Sequence, residues 1–162
     1  MFCLDYALSF AAFYHLTAAA EARGLDARGN PVSAVLAGAA SGLAAAVALW
    51  PVDLVRQTAL GDATSGPRRA SFAISSVPFG AAYLGVFFGF RRDDAPLAEV
   101  AALAAGSTAL ALAIEFPFDH AKHALVGGGG ASAAALAAIR LPLSALLLLA
   151  FDAAVNPPKR RR

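Results

Sequence analysis

Residues 31–56 read PVSAVLAGAASGLAAAVALWPVDLVR, and the first 22 of them carry no charge. About 20 apolar residues are enough to cross a bilayer as an α-helix. Asn30 before Pro31 suits a helix start, because Asn caps free N–H groups and Pro fits the first helical position. Gly38 and Gly42 form a G-x-x-x-G motif, which lets a second helix approach closely. This stretch therefore predicts a membrane-spanning helix with a close helical neighbour.

The composition of the whole chain supports a membrane protein. Of the 162 residues, 59% are hydrophobic and 15% are charged, and the mean hydropathy is +0.62. A soluble domain normally carries about 25% charged residues. Cys3 is the only cysteine, so an internal disulfide cannot form. A soluble enzyme, a DNA-binding module and a disulfide-rich scaffold are therefore excluded.

Apolar runs separated by Gly-, Pro- and charge-rich breaks predict four spans. The predicted spans cover residues 31–50, 70–90, 97–125 and 132–154, and Pro51 is expected to interrupt the first apolar run. Residues 4–22 form a further apolar segment that Asp5 and His15 weaken. Two interpretations of this segment stay open, a short span or a helix at the membrane interface.

An internal repeat lies in these spans. WPVDLVR at residues 50–56 aligns with FPFDHAK at residues 116–122, and both read aromatic, Pro, apolar, Asp, two residues, base. A second mark, a proline followed nine residues later by phenylalanine, also occurs twice: Pro78 with Phe87, and Pro142 with Phe151. Pro51 and Pro117 lie 66 residues apart, and Pro78 and Pro142 lie 64 residues apart. The chain is therefore predicted to contain two copies of a helix pair with a proline in each helix.

This pattern resembles the mitochondrial carrier family. P-x-D-x-x-[K/R] at the end of one span, followed by a second span with an internal proline, is typical of a carrier repeat. The resemblance implies an all-α membrane protein, an incomplete carrier-like bundle of about five transmembrane helices. It divides the single membrane domain, 1–162, into an N-terminal helix, two carrier-like repeats and a basic tail: 1–24, 31–92, 96–155 and 156–162.

The resemblance also implies remnants of a charged gate at the proline ends of the odd-numbered spans. An acid and a base three residues apart lie on one face of a helix, and carriers pair each acid with the base of the next repeat. We therefore expect Asp53 to pair with Lys122. The gate remnants at this end are Pro51, Asp53, Arg56, Pro117, Asp119 and Lys122.

The opposite gate of the family is eroded in this sequence. Carriers have an aromatic residue, an acid, two residues and a base in the even-numbered spans. Here Phe88 stands where the first acid belongs, although Arg91 remains. Asp152 remains in the second copy, but Val155 replaces its base. Each copy has kept half of a charge pair, which argues against alternating transport.

Three arginines are candidate anion contacts. Arg140 lies inside an apolar span, where a charge needs a partner. It is either a residual anion or lipid-headgroup site, or it pairs with an acid such as Glu115 or with a partner subunit. Arg68 and Arg69 precede a span and are either contacts for cardiolipin phosphate or ordinary flanking residues.

Other chemistry has little support in the sequence. His120 and His123 are spaced i, i+3 beside Asp119, but no further ligand is obvious, so no metal site is predicted. We expect no enzymatic activity, no catalytic residue, no nucleic acid partner and no cofactor beyond bound cardiolipin or another phospholipid. The tail, Lys159 to Arg162, contacts anionic lipid or an acidic partner, or is simply solvated.

These observations predict a non-transporting accessory subunit of a large complex in the mitochondrial inner membrane, either of the respiratory chain or the ATP synthase. Other membrane subunits would contact it through small residues: Gly38, Ala39, Gly42, Gly80 and Gly85. The alternative is a transporter of a small anionic metabolite or nucleotide, built from more than one chain. Such a transporter would have a water-filled cavity lined by Arg140.

Overall fold

The computed structural model describes residues 2–26, 30–59, 75–126 and 133–156, without the side chains of 2–3, 53–54, 56–59, 119–126 and 133–137. Within these ranges the chain forms five helices and no strands. They are α1 (Phe2–Glu21), α2 (Pro31–Ala59), α3 (Ser75–Phe90), α4 (Leu97–Val126) and α5 (Ala133–Val155).

Three of these helices are long and apolar enough to cross a membrane. Their apolar segments are Pro31–Val52, Leu97–Phe118 and Ala138–Val155, with mean hydropathies of 2.0, 1.8 and 1.8. The described part of α3 is a shorter apolar helix, and α1 is not among the three. The prediction of an all-helical, multi-pass membrane protein is therefore confirmed.

The ends of α1 and α2 follow from local chemistry. The side chain of Asn30 accepts hydrogen bonds from the backbone N–H groups of Val32 and Ser33, at 3.0 and 3.4 Å, which confirms the predicted cap. After α1, Gly24 has a φ of +78°, and the N–H of Leu25 donates to the carbonyl of Ala20. Glycine adopts this left-handed conformation without a Cβ penalty, so α1 ends in a tight turn at Gly24.

The helices continue through their prolines instead of ending at them. Pro51, Pro117 and Pro142 all lie inside helices. The apolar run before Pro51 was predicted to be interrupted there, yet α2 extends to Ala59. A proline removes one backbone hydrogen bond and crowds the preceding turn, and the helix bonds beyond it can still form.

Helices α2 and α3 pack with their backbones in contact through five glycines, which we call the glycine interface: Gly38, Gly42, Gly80, Gly85 and Gly89. A Cβ atom on Gly42 would overlap the carbonyl oxygen of Ser76, and one on Gly38 would overlap that of Gly80. Further along, a Cβ on Gly85 would lie 2.5 Å from the Cα of Val35. The two helices therefore run antiparallel at the closest approach that backbones allow.

Four of the small residues predicted to meet other subunits are thus used within the chain. Gly38, Gly42, Gly80 and Gly85 are covered by backbone atoms of the facing helix. The sequence pattern was correctly interpreted as a close helix contact, but the neighbour is the next helix of the same protein. The G-x-x-x-G spacing shows that a contact exists and does not identify its partner.

A π-helix at Ala81–Val86 aligns the glycines of α3. Gly80 and Gly85 are five residues apart, and in an α-helix they would point roughly 140° away from each other. In a π-helix each N–H bonds to the carbonyl five residues earlier, so residues five apart lie on one face. The wider turn therefore places both glycines against α2, and Gly89 follows at the ordinary spacing of four.

Deleting Ala81 should be tolerated better than deleting Ala105 from α4. Both are half-buried helical alanines. Without Ala81, Gly80 and Gly85 become four residues apart, and an ordinary α-helix keeps them on one face. Without Ala105, one part of α4 rotates by about 100° relative to the other, which turns its buried face away from the core. Unfolding titrations with SDS in mixed micelles would measure the free energy of unfolding of both deletion variants. Equal losses of stability would contradict this role of the π-helix.

The remaining contacts form a bundle around α3. Helix α2 contacts α1 and α3 most extensively, α4 packs against α5, and α3 also contacts α4. The core is aromatic and includes Tyr6, Phe10 and Phe13 of α1, which meet Tyr83, Phe87 and Phe88 of α3. Helix α1 therefore lies against the interior of the bundle.

Candidate functional site: two ion pairs and an aromatic core

The first ion pair joins the ends of α3 and α5. Arg91 Nε lies 2.5 Å from Asp152 Oδ1, and the two side chains are 12% and 8% exposed. The Nε–H group does not point at the oxygen, so the contact is an ion pair and not a well-aligned hydrogen bond. Asn156 Nδ2 donates to the same carboxylate oxygen at 2.9 Å, and Arg91 also contacts Asp93 at 3.0 Å.

This pair brings together two of the residues that the sequence predicted as gate remnants. Arg91 follows the first proline–phenylalanine mark and Asp152 belongs to the second, so the contact crosses between the two predicted repeats. The charges of Arg91 and Asp152 therefore neutralise each other within the chain. Burial of two opposite charges together avoids the high cost of burying either one alone.

The second ion pair lies inside the apolar segments of α4 and α5. Arg140 Nη2 is 2.8 Å from Glu115 Oε2, with side chains 23% and 17% exposed. Of the two interpretations of Arg140, the structure shows the pairing with Glu115. Asp5 of α1 is close enough to Arg140 for their opposite charges to attract.

A small group of hydroxyls adjoins the second pair. The hydroxyls of Tyr6 and Ser144 are 2.8 Å apart and hydrogen-bonded, and Tyr83 donates a 2.5 Å hydrogen bond to the carbonyl of Ser144. These contacts link α1, α3 and α5. Buried hydroxyls must be hydrogen-bonded to avoid a desolvation cost, so the three residues fix how these helices meet.

Aromatic rings occupy the space between the two ion pairs. Phe10 stacks on Phe151 with ring centroids 4.4 Å apart, and Phe13 lies 5.0 Å from Phe88. Tyr6 meets Tyr83 edge to face at 5.3 Å. The facing surfaces of α1, α3 and α5 are therefore in direct contact, with ring against ring. These ring contacts hold the three helices together, and they do not provide a polar binding surface.

Helix α1 contributes a buried aromatic face to this site, which the sequence-based expectations did not include. Residues 4–22 were expected to form either a short span or a helix at the membrane interface. Tyr6, Phe10, Phe13 and Thr17 are all buried, and their spacing of four, three and four is that of one helix face. This spacing could have identified a buried aromatic face on α1.

Replacing Tyr83 by phenylalanine should lower the free energy of unfolding by about 1 kcal/mol, because the carbonyl of Ser144 loses a buried donor while the ring stays in place. Tyr14→Phe is the matched control, since the Tyr14 side chain is 43% exposed. Its effect should stay within about 0.5 kcal/mol. SDS titration of both variants measures the difference, and equal effects would mean that the Tyr83 hydrogen bond adds no stability.

The other predicted gate and lipid contacts lie largely outside the described part of the chain. The backbones of Asp53, Arg56, Asp119 and Lys122 are helical, but their side chains are not described. The Asp53–Lys122 pairing therefore stays a prediction. Arg68, Arg69 and residues 157–162 are outside the described residues altogether, as are the side chains of His120 and His123. Pro51 and Pro117 are exposed within their helices.

Comparison with known proteins gives no further assignment. Searches of protein-family models, curated proteins and solved structures found no match to this chain.

Proposed function

We propose that this chain is a non-transporting, carrier-like accessory subunit of a large complex in the mitochondrial inner membrane, of the respiratory chain or the ATP synthase. The observation that carries the proposal is the packing of the aromatic face of α1 against α3 and α5. Phe10 stacks on Phe151, and Phe13 packs on Phe88. Solute passage through this part of the bundle would require these rings to separate.

The carrier ancestry within this proposal rests on the repeated sequence motif and is supported by the helix pairing. Each predicted repeat corresponds to two packed helices, α2 with α3 and α4 with α5. Every one of these four helices contains a proline: Pro51, Pro78, Pro117 and Pro142. A carrier-like barrel has three such pairs, and here α1 stands beside two.

The loss of transport is supported by the state of the charged residues. Arg140, the residue that would line an anion site, is engaged by Glu115 at 2.8 Å. The remaining halves of the eroded gate, Arg91 and Asp152, are buried against each other. A transporter must open and close both ends alternately, whereas a structural subunit benefits from ion pairs that stay closed.

Migration on a native gel after mild detergent extraction tests this proposal. We expect the chain to comigrate with a megadalton-scale complex of the mitochondrial inner membrane. The control is Gly42→Leu, which should disrupt the glycine interface and abolish comigration. If the unmodified chain migrated as a free small species and catalysed anion exchange in liposomes, it would be a transporter and the proposal would be wrong.

A further inference from the structure

We draw no further inference here: the strongest candidate, the exposed stripe of small residues on α4 formed by Ala102, Gly106, Ala109 and Ala113, carries nothing because nothing in the structure shows what covers it.

Discussion

Replacing Gly42 by alanine should lower the free energy of unfolding by roughly 2–3 kcal/mol, at the upper end of the usual cost of overpacking. The added methyl group would overlap the carbonyl oxygen of Ser76, which is backbone and cannot rotate away. Helices α2 and α3 would have to separate along their whole contact, so the interactions of Gly38 and Gly80 would weaken as well. SDS titration in mixed micelles, followed by fluorescence of Trp50, the only tryptophan, would measure the loss.

Gly106→Ala is the matched control for this experiment. Gly106 also lies in the middle of a long helix, but a Cβ atom there would meet nothing within 4 Å. Alanine is the better helix former by roughly 0.5–1 kcal/mol, so this variant should be as stable as the parent or more so. The two substitutions are chemically identical and should act in opposite directions. A gain of stability in Gly42→Ala would show that α2 and α3 are not in backbone contact.

Replacing Arg140 by leucine should cost roughly 3 kcal/mol, because the substitution leaves the carboxylate of Glu115 in an apolar span without its 2.8 Å contact. The double variant Arg140→Leu, Glu115→Leu removes both charges. It should therefore be more stable than Arg140→Leu alone, since a buried pair replaced by apolar side chains often loses little stability. SDS titrations of Arg140→Leu, Glu115→Leu, the double variant and the parent form a double-mutant cycle. The cycle isolates the free energy of interaction between the two side chains.

An exposed ion pair of the same chain provides the control for this cycle. Arg92 contacts Asp94 at 3.3 Å, with side chains 66% and 77% exposed. Arg92→Leu should cost less than about 1 kcal/mol, because water screens and solvates both charges. If Arg92→Leu and Arg140→Leu had the same effect, or if the double variant were the least stable, the Arg140–Glu115 pair would not be a buried, stabilising contact.

The positions of the helices could be predicted well because their boundaries depend on local chemistry. The sequence predicted spans at 97–125 and 132–154, and the helices are Leu97–Val126 and Ala133–Val155. Pro96 precedes the first of these helices, and four glycines, 127–130, separate the two. Proline and glycine both favour the end of a helix, so the sequence indicates these boundaries. The end of α2 was harder to predict, because whether a helix continues past Pro51 depends on the neighbours that support it.

The candidate site could be predicted only in part. The pairing of Arg140 with Glu115 was one of the alternatives that the sequence left open, since a charge in an apolar span needs an opposite charge. The Arg91–Asp152 contact was not foreseen, because each residue had lost its mate within its own motif and the new partner lies 61 residues away along the chain. Such a pairing depends on how α3 and α5 are oriented, and hydropathy does not encode orientation.

The hydrogen bond between Tyr6 and Ser144 spans 138 positions of the polypeptide, and this distance constrains biogenesis. The hairpin of α2 and α3 can close as soon as both helices have entered the bilayer. Tyr6 and Phe10 of α1 can already meet Tyr83 when α3 is in place. Their contacts with Ser144 and Phe151 form only after α5 has been synthesised. Translation that stalls before Ser144 would leave Tyr6 without its hydroxyl partner and Phe10 without the ring of Phe151.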